Sequence, residues 1–161
     1  MTPALAAFAA IAVALTAAPA LAQAPAPADL KTVTDCLEKA TDAGQFGGGC
    51  VGMIADPCIK AASGKNSDVE DSKKCAAREN AVWVELARRA IEDVKKGGFK
   101  EIIAAANDAQ KSFAQSRDRF CPAFENLDPG MAMGAGNYCR LQENARRALL
   151  LRRLGAAVTE H

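Results

Sequence analysis

Six cysteines, at positions 36, 50, 58, 75, 121 and 139, are the residues of this chain with the most chemistry open to them. Thiolates can hold a metal, run redox exchange or pair as disulfides, and spacing separates those uses. Zinc sites bring two ligands within two to four residues of each other, and no C-x-x-C occurs here. The sole histidine is His161, the last residue. Mixed Cys/His ligation and a nucleophile–histidine pair therefore both lack their second member, and C-x-x-C-H haem attachment is absent too. An even number of cysteines fits a disulfide framework in an exported chain, with many pairings open on count alone. Glu79 is the carboxylate best placed for acid–base work, four residues before Trp83. Glycoside hydrolysis needs two carboxylates flanking one bond, and no second one is placed to share the work. No glycine-rich phosphate loop precedes a helix. The chain reads as a non-enzyme with no cofactor and no metal.

The compartment that cysteine pairing requires is announced at the N-terminus. Ala4 to Ala17 is an apolar run broken only by Thr16, followed by Pro19 and the small-residue ending Ala20-Leu21-Ala22. Such a run is a secretory signal cleaved after Ala22, and it is shorter than the ~20 residues that span a bilayer. The leading Met-Thr-Pro carries no basic residue. No cysteine stands at the cleavage point, so no lipid is expected there. Residues 1–22 are thus assigned to a signal peptide and 23–28 to an extended Pro/Ala tether. The mature chain is expected to be periplasmic or secreted, with no stable membrane anchor. A formal charge of +1 excludes the Lys/Arg excess that nucleic-acid binding demands.

The elements that must position the cysteines are helices. The chain is Ala-rich and holds only six Phe, one Trp and one Tyr, a composition that favours helix over strand. A first helix is expected over 28–43 and a second over 50–62, broken or kinked at Pro57. If these two pack antiparallel, Cys36 and Cys50 face each other across the Gly47-Gly48-Gly49 turn. Residues 29–67 form this Cys-rich segment. Ser67 with Glu70 is a capping box opening a third helix over 68–96, which Gly97-Gly98 stops. Its core stripe is Val69, Ala76, Trp83, Leu86, Ala87, Ala90, Ile91 and Val94. Arg88-Arg89 and Lys95-Lys96 interleave with Glu85, Glu92 and Asp93 and read as a solvated face, with an anionic-surface patch as the alternative.

A fourth helix over 99–120 places Ile102, Ile103, Ala106, Ala109, Phe113 and Phe120 on one face. Antiparallel pairing of the third and fourth helices brings Glu79 level with Arg117, and an ion pair between them is expected to fix register. Cys121 and Cys139 bracket a long loop with Asp128-Pro129-Gly130, Met131 and Met133. Closing a loop of that length contributes ~3 kcal/mol in the chain-entropy model. A fifth helix is expected over 137–154, ended by Gly155, with 156–161 a frayed tail. The fold expected is an all-α, disulfide-stapled bundle of about five helices, with the hairpin 68–96/99–120 at its centre and 68–155 its principal domain.

The order Cys75, Glu79, Trp83, Leu86, Ala109-Gln110, Phe113, Arg117-Asp118, Cys121, Cys139, Arg147, Leu151 resembles the LprI-type lysozyme inhibitor domain. The upstream CVGMIADPC resembles the Cys-Ile-Gly…Cys extension of exported proteobacterial members. The similarity covers roughly 50–154. This chain departs from the pattern with Ala87, Ala90, Ser116 and Asn144 in place of Asn, Tyr, Tyr and Thr, and its loop lacks the usual Gly-Gly-Ser/Thr. The resemblance implies pairs Cys58–Cys75 and Cys121–Cys139, with Cys36–Cys50 as the remaining one. It also implies an envelope protein that binds a protein partner, lysozyme being the first candidate, through the Cys121–Cys139 loop with Asp128, Met131 and Met133. The competing expectation is a structural or interaction domain of the cell envelope with another protein partner, using that loop or the Arg pairs of the fifth helix.

Overall fold

A computed structural model of the 161-residue chain describes residues 24–63, 69–126 and 134–160. Five α-helices and two short 3-10 helices account for nearly all of them, and no strand occurs among the described residues. Helix α1 is Pro27–Asp42, α2 Ala55–Ser63, α3 Val69–Lys96, α4 Lys100–Phe120 and α5 Ala135–Thr159. The 3-10 helices are Gly48–Cys50 and Cys121–Asn126. The all-α bundle with three disulfides is the fold that the composition and helical periodicities anticipate.

Its centre lies elsewhere than in the α3/α4 hairpin. The closely packed pair is α3 with α5, and these two run parallel. Gly134 lies against Lys73, Asn144 bonds Asn80, Gly155 lies against Ala90, and Gly97 against Val158. Helix α4 returns between them and is antiparallel to both. On α5 the buried residues Leu141, Ala148 and Gly155, and likewise Asn144, Leu151 and Val158, recur every seven positions. On α3, Ala76, Trp83 and Ala90 do the same. A seven-residue repeat keeps one seam against a partner helix along its whole length. Small residues at that seam (Ala145, Ala148, Ala87, Ala90) make room for Trp83, which is fully buried.

Helix α4 is bound more loosely than its periodicity suggests. Only Ala106 is buried, Ile102, Ile103 and Phe113 are half-buried, and Ala109 and Phe120 are exposed. The expected core face of α4 is therefore mostly a partly wet edge, because α5 already occupies the apolar side of α3.

Other boundaries also shift. Pro57 sits in the first turn of α2, where the amide it lacks would have no helical partner, so it begins the helix instead of breaking it. Pro27 and Ala28 belong to α1 and not to a tether. The expected capping residue Ser67 lies outside the described residues, as does the expected signal segment 1–22. No helix among the described residues is long and apolar enough to cross a membrane.

Gly155 does not end α5. The helix continues to Thr159, and Val158 is buried, so residues 156–159 are helix and not tail. Glycine is there because α3 passes close by: an added Cβ would stand 3.4 Å from the Asp93 Cβ and 3.5 Å from the Ala90 carbonyl oxygen. One methyl group fits at such distances and a branched chain does not. Gly155→Ala should therefore hold or raise stability, by up to about 1 kcal/mol from helix propensity, while Gly155→Leu should lower the thermal midpoint. Thermal melts of the two variants followed by circular dichroism decide this.

Candidate functional site

The polar residues of the Glu79-to-Arg147 pattern gather, with Trp83, into two hydrogen-bonded hubs. The first is Glu79, which is completely buried. Its carboxylate accepts four hydrogen bonds: from the backbone amides of Gly52 (2.7 Å), Ile54 (2.9 Å) and Ala55 (2.8 Å), and from the Trp83 indole nitrogen (2.9 Å). Ala55 opens α2, so a side chain of α3 satisfies amides that the start of α2 leaves without helical acceptors. Gly52 presents its amide from a left-handed conformation (φ 93°), which a side chain rarely adopts. The expected Glu79–Arg117 ion pair is absent. Glu79 points to the 52–55 turn, and on the neighbouring face of α3 it is Asn80 that meets the level of Arg117.

The second hub is that meeting point. Arg117 donates to the Asn144 side-chain oxygen (2.7 Å) and to Asp118 (2.8 Å), and Asn144 in turn donates to Asn80 (2.7 Å). One turn along α5, Arg147 donates to Gln110 (2.8 Å) and to the Ala106 carbonyl (3.2 Å). Arg117 and Arg147 lie 5.8 and 6.0 Å from the centroid of the Phe113 ring, within cation–π range. Helix α4 is thus held by polar and cation–π contacts where α3 and α5 are held by close apolar packing. Burial lowers the Arg147 pKa below the ordinary arginine value.

Two further pins join segments far apart in the chain. Arg78 grips the buried Asp29 of α1 with two 2.6 Å hydrogen bonds. That grip holds the Asp29 carboxyl below the usual range, against the opposing effect of burial. Tyr138 donates to Asp56 (2.7 Å) and joins the start of α5 to that of α2. Burial first, then this hydrogen bond and the charges of Asp56 and Glu79, push the tyrosine pKa up to about 12. A signal for the Asn144 link did exist: a polar residue stands inside the apolar repeat of α5. Asp29–Arg78 and Tyr138–Asp56 join residues 49 and 82 positions apart, and no local pattern encodes them.

The disulfides are Cys36–Cys50, Cys58–Cys75 and Cys121–Cys139, with Cα–Cα separations of 5.9, 5.6 and 5.5 Å. They are the pairs the resemblance implies. The basic pairs of α3 are engaged by Glu85, Glu92 and Asp93 at 2.7–2.9 Å, as a solvated face would be. Arg88 and Arg89 hold the Glu85 carboxyl down to about 2.

Every buried side-chain nitrogen and oxygen among the described residues has a partner. No group of three or more His, Cys, Asp or Glu side chains is placed among them to hold a metal. Asp128, Met131 and Met133 lie outside the described residues. The flanks of their loop are described: exposed Phe120 meets Phe124 edge-on at 5.2 Å, beside the Cys121–Cys139 bond. A second exposed ring, Phe46, carries Arg153 at 4.2 Å from its centroid.

No family model, curated protein or solved structure matches this chain.

Two outcomes follow from the hubs. Each carboxylate oxygen accepts two of the four bonds, so Glu79→Gln sets an NH2 donor against two N–H groups and should cost about 3 kcal/mol or more, read by urea unfolding through the Trp83 fluorescence. The Tyr138 pKa lies above its ordinary value, so the stability this tyrosine contributes is complete below pH 10 and lost as pH rises through about 12. Tyr138→Phe should remove that alkaline loss. As Tyr138 is the only tyrosine, its tyrosinate absorbance reports the titration directly.

Proposed function

We propose that this chain is an exported, periplasmic helical binding protein acting by protein–protein contact, resembling LprI-type lysozyme inhibitors. One observation carries most of the weight: the residues that could have done chemistry are committed to holding the fold. Glu79 accepts four hydrogen bonds in full burial, which leaves it no edge for exchanging a proton with a ligand. All six cysteines are paired among the described residues. A rigid surface is then what the chain offers, and its most distinctive part is the Phe120–Phe124 pair beside Cys121–Cys139. Exposed aromatic side chains on a fixed backbone suit a protein interface, where aromatic anchors dominate binding energy. The contact loop with Asp128, Met131 and Met133 springs from the same place in sequence.

A second reading is an envelope interaction domain for a partner other than lysozyme. The near-neutral charge of +1 favours it, since animal-type lysozymes are basic and a neutral inhibitor gains little steering toward them. Exposed Phe46 with Arg153 offers such a partner a separate surface.

Turbidity of a cell-wall suspension, followed with lysozyme and the purified mature chain, separates the two. Inhibition reaching completion at molar excess, and weakened by Phe120→Ala, is the expected result. Lysis unaffected at high excess would falsify the inhibitor reading and leave the second, which affinity capture from envelope extract then addresses.

A further inference from the structure

The outward face of α4 carries a shallow groove of about 510 Å3 lined by Ser112, Gln115, Ser116, Arg119 and Phe120. These positions are three and four residues apart and so form one stripe. The side chains of Ser112, Gln115 and Ser116 make no hydrogen bond, and Arg119 no ion pair, with other described residues. This is unlike the outer face of α3, where Glu85, Glu92 and Asp93 are each bonded to a cation. No carboxylate lines the groove. At its end Phe120 is 57 % exposed, steadied by the edge-on contact with Phe124, and the next residue is the buried, disulfide-bonded Cys121. The platform is therefore fixed while its ring faces water.

We propose that this groove is a carbohydrate site taking an acidic oligosaccharide, with one sugar ring on Phe120 and its carboxylate at Arg119. A sugar ring has an apolar C–H face that packs on an aromatic ring. Its hydroxyls need both donors and acceptors, which Ser hydroxyls and a Gln amide supply together. A carboxylate matches the planar guanidinium fork. Other occupants fit less well. An apolar protein surface would strip water from four polar side chains without replacing its hydrogen bonds. A nucleic acid would ask for several cations where the groove has one. The groove shares Phe120 with the proposed lysozyme contact, but it is tested without lysozyme and draws on the export reading only for where such a glycan is met.

Amide-resolved NMR titration of the mature chain with the N-acetylglucosamine–N-acetylmuramic acid disaccharide tests this, with chitobiose as the neutral counterpart. Shifts should be confined to 112–120 and 124. Arg119→Gln should weaken the acidic disaccharide about tenfold, the equivalent of one charge-assisted hydrogen bond, and leave chitobiose unchanged. Phe120→Ala should weaken both ligands. If that variant disturbs the amide spectrum, Ser116→Asp, which keeps the ring and repels the carboxylate, must weaken the acidic ligand in its place. Absent shifts, shifts centred elsewhere, or wild-type affinity in the variants would overturn the site. No lysozyme is present, so a negative result leaves the inhibitor reading standing, and failed inhibition leaves this one.

Discussion

The carboxylate of Glu79 stands where three parts of the chain need an acceptor at once. The 52–55 turn brings three amides, the last of them opening α2, and the Trp83 indole needs a partner in the middle of the core. A buried carboxylate is tolerable only when its oxygens are fully hydrogen-bonded, and buried amides only when they are accepted. Each side supplies what the other lacks. The consequence is architectural: the N-terminal segment is docked onto the bundle at a defined height and rotation, and Trp83, fixed by the same oxygen, sets the width of the seam between α3 and α5.

The rest of the bundle divides by interaction type. Parallel α3 and α5 are joined by a small-residue seam running from Lys73/Gly134 to Gly97/Val158. Parallel neighbours in sequence order need a return path, and α4 provides it. Because the apolar sides of α3 and α5 are spent on each other and on the N-terminal segment, α4 is held by Arg117, Arg147, Gln110 and Phe113. Those bonds are directional and few. The helix they hold keeps much of its circumference in water, which is why polar residues and an exposed ring can occupy its outer face.

Much of this was readable in the residues. Periodicity places the helices to within about five positions, the even cysteine count points to the disulfides, and the charge interleaving of α3 marks its solvated face. The failures share one cause, which is that helical period reports which side of a helix is apolar but not which helix covers it. Hence periodicity alone points to α4 at the centre in place of α5, and sets Glu79 against Arg117 at the right level on the wrong face. Gly155 misled for a related reason: a glycine after a helical run reads as a stop, yet here it serves a close crossing that only the three-dimensional arrangement reveals. The candidate site was legible in part. Cys121 and Cys139 mark the right end of the molecule, but helical spacing groups Phe120 with the core face of α4, and nothing local distinguishes a buried phenylalanine from an exposed one.

The three disulfides join each cysteine to its neighbour in sequence, across separations of 14, 17 and 18 residues. Such an order has a kinetic meaning. A chain threading through a pore into an oxidising space presents its thiols one after another, and here the first to arrive is always the rightful partner of the second. Oxidation in order of emergence yields the native set directly, with no wrong bridge to undo by slow thiol exchange. Export as proposed above would therefore ask for an oxidant but not for an isomerase.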